Sequence, residues 1–254
     1  MRVSFCAFAE GLFSSHITVF GLKRQDWTYT DLFMNIRAVV FDMDGLILDT
    51  EPLYKNAWQL ASTELGYEID DTFYATLIGR PTSDCEELLL RQFGSGFPLG
   101  PFRLRWPELW QNEAAKGIPT KAGLPEILAF LEHNDLSFAV ATSSDAKHTG
   151  ISLRRAGLEG RFGIVVTGDE VMRGKPAPDI YIEAARRLRI EASQCIALED
   201  SEAGIVAAHE AGMLTVLIPD LARPTDAAVE ASSYILGSLY EARDLLCNII
   251  IDGL

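Results

Sequence analysis

Residues 37–45 read RAVVFDMDG. The run is apolar on consecutive rather than alternate residues and ends at Asp44-Gly45. That is the pattern of a strand covered on both faces, hence of a parallel sheet packed between helices. Asp-Gly marks the turn out of the strand. Four similar runs follow: LSFAVAT at 136–142, FGIVVTG at 162–168, QCIALED at 194–200 and MLTVLIPD at 213–220. A weaker one, SSYIL, stands at 232–236.

Helical patterns separate these runs. Leu124, Ile127, Leu128 and Leu131 fall at i, i+3, i+4 and i+7, with Pro125 in the first turn. Asp145 is placed to cap a helix that stops at Gly157, and Asp179 to cap the next. Ser201 is placed to cap a third, ending at Gly212. Ser238 and Glu241 have the spacing of a capping box. Strands alternating with helices predict an α/β fold with a doubly wound parallel sheet.

Residues 51–117 break the rhythm. They contain no convincing strand. Leu53, Ala57, Leu60, Ala61 and Leu65 form one apolar helical face, and Ser83 with Glu86 precedes a second helix. A third helical stretch, Leu104 to Lys116, carries Pro107, which predicts a kink or a restart. Between the last two lies GSGFPLG, a turn segment without a phosphate-loop pattern. The expected organisation is therefore an extension of unassigned role at 1–34, a core made of 35–50 and 118–254, and a small all-helical insert at 51–117 after the first strand. The expectation for the extension is a segment with no catalytic part or, alternatively, a start codon chosen upstream of the native one.

Composition narrows the function classes. The 254 residues carry 22 Lys plus Arg against 36 Asp plus Glu, a formal charge of −14, which argues against non-specific nucleic-acid or anionic-membrane binding. The four cysteines, Cys6, Cys85, Cys195 and Cys247, lie far apart and read as reduced thiols. The histidines, His16, His133, His148 and His209, form no metal-binding pattern and read as surface or helix residues. No apolar run approaches the ~20 residues needed to span a bilayer. The start, MRVSFCAFAEGLF, only faintly resembles a signal peptide, because its apolar run is short and Glu10 follows at once. A cytoplasmic protein is expected.

In a parallel sheet the carboxyl ends of the strands line the ligand crevice. The first strand delivers Asp42 and Asp44 there, the second Thr142, Ser143 and Ser144, and the fourth Glu199 and Asp200, while Lys175 follows the third. Each piece has an ordinary alternative, a turn, a helix cap or a solvated loop lysine. Their appearance in order at successive strand ends does not. Crowded carboxylates are costly unless a cation neutralises them, and oxygen ligands without Cys or His favour Mg2+. Asp42 and Asp200 are the expected carboxylate ligands, with the backbone carbonyl of Asp44 as a third. One carboxylate can then attack phosphorus, while Asp44, leaving the strand in another direction, serves as general acid and base. Thr142 can bond a phosphoryl oxygen and Lys175 supplies a fixed positive charge.

FDMDGLILDTEPLY at 41–54, ATSS at 141–144, GKPAPDIY at 174–181 and ALEDSEAGIVAA at 197–208 together resemble the four motifs of the haloacid dehalogenase superfamily. The match runs from about Arg37 to Leu236. It implies a Rossmann-like core with a helical cap, Asp42 as nucleophile and Mg2+ ligand, and Asp44 as acid/base and carbonyl ligand. It further implies Thr142, Ser143 and Lys175 on the phosphoryl group, Asp200 on the metal, and Glu199 beside it. Asp49 and Thr50 would fall at the cap hinge. Dehalogenases of the superfamily lack the second aspartate, so Asp44 favours phosphoryl transfer. The phrases DTEPLY and GKPAPDIY resemble the branch of sugar phosphatases and beta-phosphoglucomutase-like enzymes. A mutase of that kind usually carries a His near the position of Tyr54, and residues 51–117 contain none. The expectation is a phosphatase of small phosphorylated metabolites, with a sugar-phosphate mutase as the alternative and Arg80, in IGRPTSD, as a candidate cap contact to substrate.

Overall fold

The computed structural model describes residues 36–78, 82–221 and 223–252. The 1–34 extension and Arg80 lie outside the described residues. Six strands form one sheet: β1 (Ala38–Phe41), β2 (Ser137–Ala141), β3 (Val165–Val166), β4 (Cys195–Glu199), β5 (Leu214–Leu217) and β6 (Tyr234–Ile235). Their order is β3-β2-β1-β4-β5-β6, and every pairing is parallel. Each matches one apolar run of the sequence.

All four residues of β1 are fully buried, as a central strand clad on both sides requires. Alternation sends Val39 and Phe41 to one face, against Leu124, Ile127, Leu128 and Leu131 of helix α5 (Leu124–His133). Ala38 and Val40 meet Ile180, Tyr181 and Ala184 of α7 (Asp179–Leu188) on the other. Helices α6 (Ala146–Arg155) and α10 (Leu239–Asp252) complete the first layer, and α8 (Glu202–Glu210) the second; a short α9 (Asp226–Ala231) packs at the β5 edge.

Local chemistry sets the helix starts. Asp145 accepts from the His148 amide and Ser201 from the Gly204 amide, as their positions predict. Asp179 does not cap: Pro178 holds that position, and the Asp179 carboxylate pairs instead with Arg173, 2.6 Å away. Ser238 accepts from the Glu241 amide, but the Glu241 carboxylate reaches back one residue further, to the Gly237 amide.

Between β1 and α5 stand α1 (Glu51–Glu64), α2 (Asp71–Ala75), α3 (Thr82–Phe93) and α4 (Leu99–Ala114). They share their own apolar centre around Trp58, Tyr74, Leu89, Phe97 and Phe102. Pro107 does not restart a helix; α4 runs through it from Leu99. An early helix costs little there because Pro98 and Pro101 lie at its first turns, where no amide donor is needed. The short α2, capped by Asp70, was not visible in the periodicity.

The two chain passages joining this helical unit to the sheet are tied together. Leu48 bridges Thr120, the Asp49 amide donates to Pro119, and the Lys121 amide to Ile47.

Candidate active site

The strand order reverses direction at β1, between β2 and β4, which opens a crevice above their carboxyl ends. Asp42 leaves β1 there, with its amide still paired to Leu198 of β4 at 3.0 Å. Glu199 ends β4 and Asp200 follows it. Among the described residues, Asp42, Glu199 and Asp200 bring a carboxylate oxygen each to within 4.8 Å of one another.

Lys175 enters this group from the loop before α7. Its ammonium lies 2.5 Å from Asp42 Oδ1, 2.6 Å from Glu199 Oε1 and 3.0 Å from the Ala141 carbonyl. Three protons meet three acceptors, and the side chain is only 4% exposed. Glu199 is fully buried and fully used. Oε1 takes Lys175 and the Tyr181 hydroxyl, and Oε2 takes the amides of Asp200 and Ser201 and the Ser201 hydroxyl. A carboxylate with every lone pair engaged is a fixture of the site and leaves Asp42 and Asp200 as the acids free to ligate.

Burial dominates the electrostatics. It pushes Asp42 up to about 8, with Glu199 and Asp44 adding repulsion and Lys175 opposing. It drives Asp200 well above the carboxylate range, reinforced by Asp42 and Glu199. Three acids around one lysine are over-charged for a buried setting. A hard divalent cation held by oxygen donors offsets that excess, so the donor set fits a metal ion.

Asp44 stands at the same mouth. Burial raises its carboxyl, and a hydrogen bond from Ser144, at 3.1 Å to Oδ2, pulls it back. Oδ1 is buried with no hydrogen-bond partner among the described residues. The turn behind it admits only glycine: at φ +86° a Cβ on Gly45 would sit 2.2 Å from Asp200 Oδ2.

Thr142 is buried at the end of β2, and its hydroxyl oxygen accepts from the Ser144 amide at 3.1 Å. Ser143 is exposed on the same loop, with its carbonyl against Gly168, where a Cβ would come within 2.3 Å. The structure therefore brings Asp42, Asp44, Thr142, Lys175, Glu199 and Asp200 together and leaves the Ser143 side chain at the rim.

Several neighbours were not singled out by sequence. Tyr181 carries its hydroxyl into the site from an otherwise apolar helix face, and a polar-tipped aromatic among Ile180, Ala184 and Ala185 was the available signal. His148 is more than a helix-surface residue. It is half-buried and stacks on Trp110 of α4, ring centroids 5.1 Å apart, and Trp110 in turn stacks on Tyr54 at 5.4 Å. The helical unit thus reaches down onto the start of α6 beside Asp44.

No helix among the described residues is long and apolar enough to cross a membrane. A family model described as haloacid dehalogenase-like hydrolase matches residues 39–218. A phosphorylated carbohydrates phosphatase of Thermotoga maritima is 32% identical over 178 residues, covering 70% of this chain and 82% of its own. A fructose-1-phosphate phosphatase of Escherichia coli is 31% identical over 185 residues, covering 72% and 96%. The crystal structure of a candidate beta-phosphoglucomutase from Thermotoga maritima superimposes with a TM-score of 0.73 at 29% identity, over 84% of this chain and 99% of that one.

Proposed function

The chain belongs to the haloacid dehalogenase-like hydrolases, and from that premise we propose that it is a Mg2+-dependent phosphatase of small phosphomonoesters, sugar phosphates among them. The observation that carries the proposal is the pairing at one mouth of Asp42, gripped by Lys175 at 2.5 Å, with an Asp44 whose second oxygen is buried and unengaged.

Asp42 and Asp200, with the Asp44 carbonyl, would hold Mg2+. When bound, the ion supplies a Lewis acid that neutralises charge on the phosphoryl oxygens. Asp42 attacks phosphorus and becomes an aspartyl phosphate. Asp44, whose carboxyl burial raises, gives its proton to the departing alcohol oxygen. It then takes a proton from water, whose oxygen attacks the same phosphorus. Inorganic phosphate leaves and Asp42 is restored. Lys175 and Thr142 hold phosphoryl oxygens, with Ser143 at the rim. Glu199 positions Lys175. Residues 51–117 serve as a cap that closes over the substrate, on a core formed by 35–50 and 118–254.

The mutase alternative has less support. Both curated relatives named above are phosphatases, and at the cap position where a mutase usually carries His this chain has Tyr54, packed on Trp110.

The decisive experiment is release of phosphate from an aryl phosphate. Asp42→Asn should abolish it, and EDTA should abolish it in the wild type. Turnover that survives either would remove the mechanism. A panel of phosphorylated metabolites then ranks substrates by kcat/KM, and an isomeric sugar phosphate formed without free phosphate would restore the mutase.

A further inference from the structure

Tyr181 takes no part in the steps above, yet it touches both the lysine and Glu199, one of the two acids that hold it. It is among the largest fully buried side chains of the protein. Its hydroxyl donates to Glu199 Oε1 at 2.6 Å, the same oxygen that receives Lys175 at 2.6 Å. Its ring lies beside the ammonium, 5.2 Å from centroid to Nζ.

The ammonium is suspended between two acids. Asp42 pulls it toward the reacting centre and Glu199 pulls it back, while the Ala141 carbonyl takes the third proton. Glu199 Oε1 has two lone pairs, and Tyr181 occupies one. A donor on that oxygen draws off part of its charge and weakens its hold on Lys175. Without the hydroxyl, a buried carboxylate oxygen would be short of a partner, and the nearest movable proton is on Lys175. The lysine would shift toward Glu199, away from Asp42 and the phosphoryl oxygen.

We propose that Tyr181 is a positioning residue: its hydroxyl bond to Glu199 and its ring beside Nζ keep Lys175 extended toward Asp42 and available to the phosphoryl group. The inference rests on the phosphatase reading only in that Lys175 serves a phosphoryl oxygen.

The test is the affinity for inorganic phosphate in the presence of Mg2+, read by calorimetry and needing no turnover. Tyr181→Phe keeps the ring and removes the hydroxyl. It should weaken phosphate about 3- to 10-fold, the scale of one hydrogen bond's ordinary net contribution because the loss reaches phosphate only through Lys175, and raise KM for an aryl phosphate by a similar factor. In a Glu199→Gln background the same change should have an effect within about twofold, because the group through which Tyr181 acts is gone. Tyr181→Met, which also loses the ring, should weaken phosphate at least as much. Melting profiles identify which variants are folded. Unchanged phosphate affinity in a folded variant, or an equal loss with and without Glu199, overturns the proposal. A wild type that binds phosphate but hydrolyses no ester would end the phosphatase reading and leave this one standing.

Discussion

Lys175 Nζ sits 2.5 Å from Asp42 Oδ1, joining residues 133 positions apart in the chain. The contact is closed by burial on both sides, with the lysine side chain 4% and the aspartate side chain 10% exposed. One cation therefore pairs with two buried acids, Asp42 and Glu199, while the half-buried Asp200 stands beside them. Burial lifts Asp42 to about 8 and repulsion from Glu199 adds to it, an excess of negative charge that a divalent ion would relieve.

Lys175→Met keeps most of the side-chain length and removes the charge. Glu199 and Asp42 are then buried without their cation, which typically costs ~3–5 kcal/mol when one partner of such a pair is removed. The melting temperature should drop, and kcat/KM should fall by ~10²–10³, the usual loss for a missing electrostatic stabiliser. A variant that melts and turns over like the wild type would contradict this role.

Mg2+ should stabilise the protein independently of any substrate. At one hundred times Kd, binding to the native state alone contributes about 2.7 kcal/mol. For a chain of this size that is roughly 5–10 °C in melting temperature. The effect has a predictable pH dependence. Asp42 is raised in the folded state, so the metal-free protein loses stability as pH climbs from the unfolded value of about 4 toward 8. The Mg2+-induced shift should be larger at pH 8 than at pH 5, and Asp200→Asn should remove it. Calorimetric melts across that range check both statements.

The sheet was readable because each strand is buried on both faces, which prints a continuous apolar run. β1, with all four residues inaccessible, shows this most plainly. The acids were readable for a related reason: Asp42 and Asp200 interrupt or end such runs, and an ionisable residue there must have a use. What the runs did not show is pairing across the sheet. Nothing local to Lys175 says that its protons are divided among Asp42, Glu199 and the Ala141 carbonyl. Tyr181 and His148 stayed hidden because both lie on helix faces that read as packing or surface, and only the close approach of α7 and α4 gives them neighbours in the site. Pro107 misled because a proline inside a helix loses one hydrogen bond, and tertiary packing of α4 on α1 outweighs that.

Gly45→Ala tests how closely the first turn is fitted to Asp200, the proposed metal ligand. The new Cβ would meet Asp200 Oδ2 at 2.2 Å on a backbone held at φ +86°. Asp200 must move, so Mg2+ affinity should fall at least about tenfold, on the scale of disturbed ligand support. Gly66→Ala is the control: φ is +84° and nothing lies within 4 Å of the added atom. It should show the left-handed backbone strain of ~1–2 kcal/mol and no change in Mg2+ affinity. Equal Mg2+ losses in the two variants would mean that strain, not the Asp200 contact, is responsible.

Lys121 ties the passage leading out to residues 51–117 to the end of the sheet. Its ammonium is 2.9 Å from Asp49, on the passage leading out to α1, and 2.6 Å from Asp220, beyond β5. The backbone bonds from Asp49 to Pro119 and from Lys121 to Ile47 lock the two passages together at this level. If residues 51–117 open as the proposed cap, the pivots would lie beyond these ties, near Thr50 on one passage and near Gly117, with φ +125°, on the other. Lys121→Met would leave Asp49 and Asp220 facing each other without a cation. The pair is partly exposed, so the global stability cost should stay near ~1 kcal/mol. The larger effect should be on geometry: the two passages that carry the proposed cap would be held less firmly, so KM should rise several-fold while kcat changes little. Solution scattering of the substrate-free variant should show a more expanded average shape than the wild type. Lys121→Arg keeps the charge and should behave like the wild type in both measurements. If the methionine variant scatters and saturates as the wild type does, the ion pairs are not what seats the cap, and the backbone ties between the two passages suffice.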